Sequence, residues 1–504
     1  MKDRFAKRQK TASLKDKRPV TIGRIISVLC LLSIVLCLIG PGCKEYKVSD
    51  DPSLRLSFSC DTLRFDTVFT EQGSATAQVM VYNRNKNALV IDRVWLTNGG
   101  TFVANVDGEA DLARLTNLQI NGGDSLFVFI RVDIDPNNSN SPVLVTDRLN
   151  FHLVNGNTQG LEMEAYGQDV IRIGSKGCGR TEKSIMTFKG DKPYLVYDTL
   201  VVGGILTFQA GATVYMHQGA CIVALGDVYA QGTLTQPVLI RGDRLDRLFE
   251  NVPYLYAGGG WNGIYLQAEQ PQTYQFDYVD ILSGNIGLYC MSTCSCPMPQ
   301  LHMNGCRIHN HTLYGLVLLN TDAQVSNTEI SNCASYCLYC SGGTHTFAHT
   351  TVASYFGATD IRIQSVVKEA TAAVYIDNLS KTGPATVDTF VNCIITGYQA
   401  NQLVLATPME QYYSGVFIGN YLKTDSLRIP HAHNNTYWTE DEQNPVFRNT
   451  YYKYKEYVYY DFHPDSLSPA IGIGDSIAAL PYPSDRDGVS RALTQPDAGC
   501  YQHE

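Results

Sequence analysis

Apolar and polar residues alternate over residues 53–170, in runs such as AQVMVYN, ALVIDRVWL and LQINGGDSLFVFIRVDI. A period of two sends successive side chains to opposite faces of a strand, so each run reads as a half-buried β-strand. Gly122-Gly123-Asp124 and Asn155-Gly156-Asn157 supply turn chemistry between runs. About seven short strands of this kind predict a β-sandwich.

Farther along, alternation gives way to recurrence. Written in lines of twenty-two, residues 299–356 overlay themselves: Met303, Val325 and Phe347 share a column, as do Cys306, Thr328 and Thr350, then Ile308, Ile330 and Val352. Tyr314 aligns with Tyr336, and Leu316 with Leu338. A repeat this short holds strands and turns but no helix, so each line predicts one coil of a parallel β-solenoid. With insertions the register extends backward to Ile264, Leu266, Phe276, Val279, Ile281, Leu288 and Cys290, and insertions of this kind fall at turns. Beyond 357 the register weakens, with ATVDTFVNCIITGY at 385–398 reading as one more coil.

Three stretches carry resemblances. The glycine-punctuated run LVVGGILTFQAGATVYMHQGACIVALGDVYAQGTLTQPVLIRGD, with Gly260-Trp261-Asn262-Gly263-Ile264 after it, resembles the opening coils of right-handed parallel β-helix proteins of the pectate-lyase-like class. SPAIGIGD at 468–475, DRDGVSR at 485–491 and PDAGCYQ at 496–502 are similar to the closing signature of many bacterial β-helix proteins. VYNRNKNALVIDRVWL followed by LQINGGDSLFVFIRV resembles the immunoglobulin-like (ASH or MSP-like) spacer modules common in bacterial surface proteins, which implies a spacer and no catalytic residue. The expected fold class is therefore all-β: a right-handed parallel β-helix preceded by an immunoglobulin-like β-sandwich.

The N-terminus sets the expected address. A basic run from Lys2 to Arg24 precedes the apolar stretch IISVLCLLSIVLCLIG, which is shorter than the roughly 20 residues of a spanning helix and reads as a signal-peptide core. It ends at Gly40-Pro41-Gly42-Cys43, which resembles a bacterial lipobox. The resemblance implies cleavage before Cys43, lipidation of its sulfur and membrane attachment; an uncleaved membrane anchor is the alternative. Positive-inside bias exports residues 44–504 in either case. The run KEYKVSDD is similar to the tethers of surface-displayed Gram-negative lipoproteins, which implies an outer-membrane, cell-surface location. The expected organisation is a signal peptide (1–42), tether (43–52), immunoglobulin-like sandwich (53–170), linker (171–190), β-helix (191–480) and C-terminal capping segment (481–504).

Composition narrows the partners. A net charge of −9, with no basic stripe after the N-terminus, argues against nucleic acid. Seven cysteines between 290 and 340 lie near His302, His309 and His311, but no pair of pairs at zinc-finger spacing occurs. Cys290, Cys306 and Cys340 fall in apolar columns and read as core residues, Cys294 and Cys296 as exposed or paired, and neither metal nor cofactor is expected.

Columns between the apolar ones point outward. Tyr265, Tyr289, Val317 and Tyr339 form one such ladder; exposed rings in a row can take the apolar face of sugars, whereas stacking on one another makes the same ladder structural. A second ladder holds Asp280, Arg307, Glu329 and Thr351, with His309 beside it. Two carboxylates flanking a guanidinium, near an imidazole, form a set for acid/base chemistry on an acidic polysaccharide, or a charge pattern that keeps coils in register. The carboxylates would lie about 9.6 Å apart, two strand spacings, at the outer limit for an inverting glycosidase. Asn320-Thr321-Asp322 matches the first polygalacturonase motif, but the paired aspartates, Gly-His-Gly and Arg-Ile-Lys are missing, and Arg362-Ile363-Gln364 is a near miss. Asp485-Arg486-Asp487-Gly488 reads as a turn rather than a calcium loop. The tyrosine-rich run at 451–462 reads either as a strand with one aromatic face, a second candidate ligand platform, or as the solenoid's cap. The sequence thus favours non-catalytic glycan binding or adhesion, against a polysaccharide lyase or glycosidase, or a rod with no ligand.

Overall fold

The computed structural model describes residues 46–249, 252–293, 298–356, 371–378, 386–406, 413–424, 432–433, 435–437, 445–450 and 459–503. Cys43, the apolar stretch before it, Cys294, Cys296, residues 362–364 and most of the run at 451–462 lie outside them. Among the described residues no helix is long and apolar enough to cross a membrane.

The alternating region forms two sheets over one core. One has the order Ser57–Phe58, Ala77–Tyr82, Ser125–Val132, Phe102–Val106; the other Thr62–Phe69, Thr158–Gln168, Val143–Leu153, Leu89–Leu96, Leu118–Ile120. Neighbours run antiparallel except Thr62–Phe69, which pairs parallel with Thr158–Gln168. Alternation works as expected in Ser125–Val132, where Leu126, Val128, Ile130 and Val132 are buried and Phe127 and Phe129 face outward. Val79, Val81, Val128 and Ile130 of the first sheet meet Ile91, Val94, Phe151 and Met163 of the second. Each such burial contributes about 1.5–3 kcal/mol before chain entropy is subtracted.

The recurrent region is a parallel β-helix with three all-parallel sheets. Among the described residues sheet I has eleven strands, from Ile171–Ile173 to Thr436–Tyr437; sheet II nine, from Arg180–Lys183 to Leu403–Leu405; sheet III ten, from Met186–Phe188 to Ala432–His433. The columns read from the sequence are the observed register: Met303 pairs Val325 and Val325 pairs Phe347, Ile308 pairs Ile330 and Ile330 pairs Val352, and Cys290, Leu318 and Cys340 stack in turn. All these side chains point into the core. Phe347, Phe390 and Phe417 of sheet III stack with ring centroids 4.7 and 5.3 Å apart. Residues 171–190 are not a linker. Ile171–Ile173, Arg180–Lys183 and Met186–Phe188 are the first strands of the three sheets, because each meets an apolar partner strand one coil on.

Left-handed residues turn the chain between sheets. Gly305, Asn327, His349 and Asn392 take φ of 66°, 46°, 47° and 53° where sheet III passes to sheet I. Ser283, Asn310 and Asn332 do so between sheets I and II, with Asn310 Nδ2 donating to Ser283 Oγ at 3.0 Å. Asparagine tolerates this conformation and bonds along the stack, so the turn column follows from the residue type.

The C-terminal segment does not only cap an end of the solenoid. Residues 461–503 lie along the outer face of sheet I and reach six successive coils, through Asp280, Arg307, Glu329, Thr351, Ile394 and Tyr421. At the other end of the same sheet the sandwich docks through Phe69 and Val170, packed against Leu195, Tyr197 and Tyr215. Sheet I is thus the face on which three parts of the chain meet.

Candidate ligand-binding cleft

The cleft is built on the outward ladder of sheet I. Strand pairing sets Asp280 beside Arg307, Arg307 beside Glu329 and Glu329 beside Thr351. Alternation aims them away from Ile281, Ile308 and Ile330, which are fully buried in the core. The C-terminal segment covers much of the ladder, leaving the Arg307 side chain 36% exposed at the cleft. Glu329 is 4% exposed and Thr351 1%.

Cover changes the chemistry of each group. Asp280 is held by two arginines: Arg307 donates to Oδ2 at 2.9 Å and Arg486 to Oδ1 at 2.7 Å. Glu329 accepts from Ser331 Oγ at 2.5 Å on one oxygen and from Tyr501 OH at 2.6 Å on the other. His309 Nδ1 meets Ser331 Oγ at 2.7 Å and lies 3.7 Å from Glu329. Burial works against the charge of Arg307, but Asp280 and Glu329 outweigh it, and its pKa ends above the ordinary value. Burial likewise opposes Arg486, and Tyr501, Asp280 and Glu329 raise it well above. Burial first, then Glu329, pushes the Tyr501 phenol up, so it donates as a neutral hydroxyl.

A second imidazole arrives from the covering segment. His463 bonds Asp461 Oδ1 at 2.6 Å through Nδ1 and Asp487 Oδ2 at 2.9 Å through Nε2, and its ring stacks on Tyr501 at 4.0 Å. Burial alone would lower its pKa; the two carboxylates raise it to about 9. It is therefore an imidazolium at neutral pH.

Arg307, His309, Glu329, Asp461, His463 and Tyr501 line a hollow of about 180 Å³ with Leu255, Tyr256, Leu282, Tyr460 and Phe462. A second hollow of about 240 Å³ shares Leu255 and Ser283 with it and adds His217, Arg241, Asp243 and Tyr254. A third, of about 300 Å³, shares Gln72, Asp243 and Arg244 with the second and is closed by residues 64–77 of the sandwich. Together they make a row along sheet I from the C-terminal segment to the sandwich. Arg307 Nε is buried without a hydrogen-bond partner among the described residues.

The other predicted set lies on sheet II. Tyr265 pairs Tyr289, Tyr289 pairs Val317 and Val317 pairs Tyr339, so the ladder has the expected register. Its rings pack largely on each other. Tyr265 and Tyr289 lie 5.8 Å apart, Tyr339 sits edge-on to Tyr375 at 5.4 Å, and Tyr336 stacks on Tyr375 at 4.7 Å. Tyr339 OH donates to Asp377 Oδ2 at 3.0 Å, and Val317 is completely buried beneath the cluster. The structure thus brings Arg307, Glu329 and His309 into one cleft, ties Asp280 to it only through its bonds to Arg307 and Arg486, and keeps Tyr265, Tyr289 and Tyr339 on a separate face.

No protein-family model matches the sequence, and no curated protein matches it. Among solved structures the chain is similar to a protein of unknown function from Porphyromonas gingivalis, at 12% identity over 25% of this chain and 50% of that one, with a TM-score of 0.18. It is also similar to an ASH/PapD-like domain of human CEP192, at 12% identity over 26% and 92% of the two chains, TM-score 0.17, and to the periplasmic chaperone SfaE, at 10% over 23% and 58%, TM-score 0.17. The chain spans half the length of the first of these. Scores this low carry no argument about fold or function.

Tyr256, His463, Arg486 and Tyr501 were not nominated as site residues by the sequence, whereas Tyr460 and Phe462 belong to the tyrosine-rich run it marked. The motifs SPAIGIGD, DRDGVSR and PDAGCYQ marked the rest of the region, and none carries a period that ties it to sheet I.

Proposed function

We propose that the protein is an exported, lipid-anchored, cell-surface protein whose right-handed β-helix, carried on an immunoglobulin-like spacer, binds glycan without chemically altering it. The observation that carries this reading is the row of adjoining hollows on sheet I, an elongated site suited to an extended polymer. Its walls combine aromatic rings for the faces of sugars with cationic donors for carboxylate or hydroxyl groups, the chemistry of an acidic polysaccharide. The carboxylates weigh against turnover. Asp280 is neutralised by two guanidinium groups and Glu329 is buried with both oxygens engaged, so neither is placed to take or give a proton.

Binding and turnover on a panel of acidic and neutral polysaccharides test this. Tyr256→Ala and Arg307→Ala should each weaken binding of the preferred polymer by roughly 30-fold, the scale of an interface hot spot, while Tyr289→Ala leaves it within about twofold. Release of unsaturated or reducing ends, abolished by Arg307→Ala, would overturn the binding-only reading. Binding that survives changes in the cleft but not Tyr289→Ala and Tyr339→Ala would move the site to sheet II.

A further inference from the structure

The interior of the solenoid holds a polar cluster that the cleft does not use. In sheet III one inward column runs Tyr274, Leu301, Ala323, His345, Asp388, Gly415. Apolar residues fill it until His345, and then two ionisable side chains follow in successive coils. From sheet II, Cys340 points into the same interior, in the column of Cys290 and Leu318. An imidazole nitrogen of His345, the Cys340 sulfur and a carboxylate oxygen of Asp388 lie within 4.8 Å of one another, and all three residues are buried.

A structural polar network would be expected to satisfy its own atoms. This one does not. His345 Nδ1 meets Asp388 Oδ1 at 2.7 Å, with both side chains completely out of water, yet His345 Nε2 and Asp388 Oδ2 have no partner among the described residues. The Tyr413 hydroxyl, which interacts electrostatically with Asp388 and Cys340, is buried and unpartnered too. Space is kept around these atoms. A Cβ on Gly415 would come within 2.5 Å of the Tyr413 hydroxyl, and one on Gly343 within 3.2 Å of His345 Nε2. A stack of aliphatic side chains, as in the preceding coils, would fill this place without orphaned donors and acceptors.

We propose that Cys340, His345 and Asp388 bind a divalent transition-metal ion of the zinc class inside the solenoid, with Tyr413 beside it. One thiolate, one imidazole and one carboxylate make a donor set that selects zinc-like ions over calcium or magnesium, which take oxygen ligands. A cation there supplies the charge that the buried carboxylate lacks and displaces the thiol proton, which is released to solvent. Enclosure makes the site structural: it ties a strand of sheet II to two successive strands of sheet III, and no substrate reaches it.

The test uses the full chain, produced in medium supplemented with zinc or with cobalt and purified under reducing conditions. The zinc-grown protein should carry about one metal per chain, and the cobalt-grown protein should show the near-ultraviolet thiolate-to-cobalt charge-transfer band. Cys340→Ser should abolish the band and His345→Ala should bring metal content to background. Cys290→Ser and the double variant Cys294→Ser, Cys296→Ser should keep both signals, which separates the cluster from other cysteines. Wild-type protein free of metal, or lacking the thiolate band, overturns the proposal without recourse to a variant that fails to fold. So does a band that persists in Cys340→Ser.

Discussion

Arg486→Ala removes the guanidinium that fastens the C-terminal segment across sheet I. Arg486 and Asp280 meet at 2.7 Å, each side chain only 15% exposed. At an effective dielectric of about 20, the gross attraction over that distance is about 6 kcal/mol. Desolvation of both ions offsets much of this, and deleting one partner of a buried pair typically costs about 3–5 kcal/mol. Here Arg307 still holds the other oxygen of Asp280 at 2.9 Å, so the lower end, about 3 kcal/mol, is expected. The stacking of Arg486 near Tyr501 goes as well, so a cycle with Asp280→Ala is needed to isolate the pair. Urea unfolding followed by tryptophan fluorescence, in a background carrying Trp95→Phe and Trp438→Phe so that Trp261 of the solenoid core alone reports, gives the four stabilities. A coupling of about 2 kcal/mol supports the fastening; a coupling below about 0.5 kcal/mol, the range of independent sites, refutes it.

Two further outcomes follow from the same segment and from the N-terminus. His463 has a folded pKa raised to about 9, so its contribution is complete below the unfolded value of about 6.5 and is lost as pH rises through 9; proteolytic protection of residues 461–503 should fall across that window, and His463→Gln should flatten the profile. If acylation is the anchor, Cys43→Ser releases the mature chain from membranes, and retention in the membrane fraction identifies the uncleaved helix instead.

Parallel stacking explains what could be read in advance. When each coil lies on the last, Ile308, Ile330 and Val352 face the same interior, and the demand for an apolar residue is repeated every turn. That repetition writes the core, the turn asparagines and the outward ladders into the spacing. What covers a ladder leaves no such mark. Glu329 and Tyr501 are 172 residues apart and meet once, so no period connects them, and an outward column looks the same whether water or protein lies over it. The sandwich was legible from alternation, while the parallel pairing of Thr62–Phe69 with Thr158–Gln168 was not, since a period of two is common to both pairing senses. The tyrosines show the same limit: their register was predictable, but which rings are consumed by neighbours depends on Tyr375, a coil beyond the clear repeat.

The flank cover also fixes when the cleft comes into being. Its floor, Arg307 to Glu329, is synthesised well before its far wall, so a coil-by-coil assembly completes the solenoid with a charged strip still bare. Only when His463, Arg486 and Tyr501 have emerged and folded back does a pocket exist. A chain interrupted before that point would keep its solenoid but not this hollow.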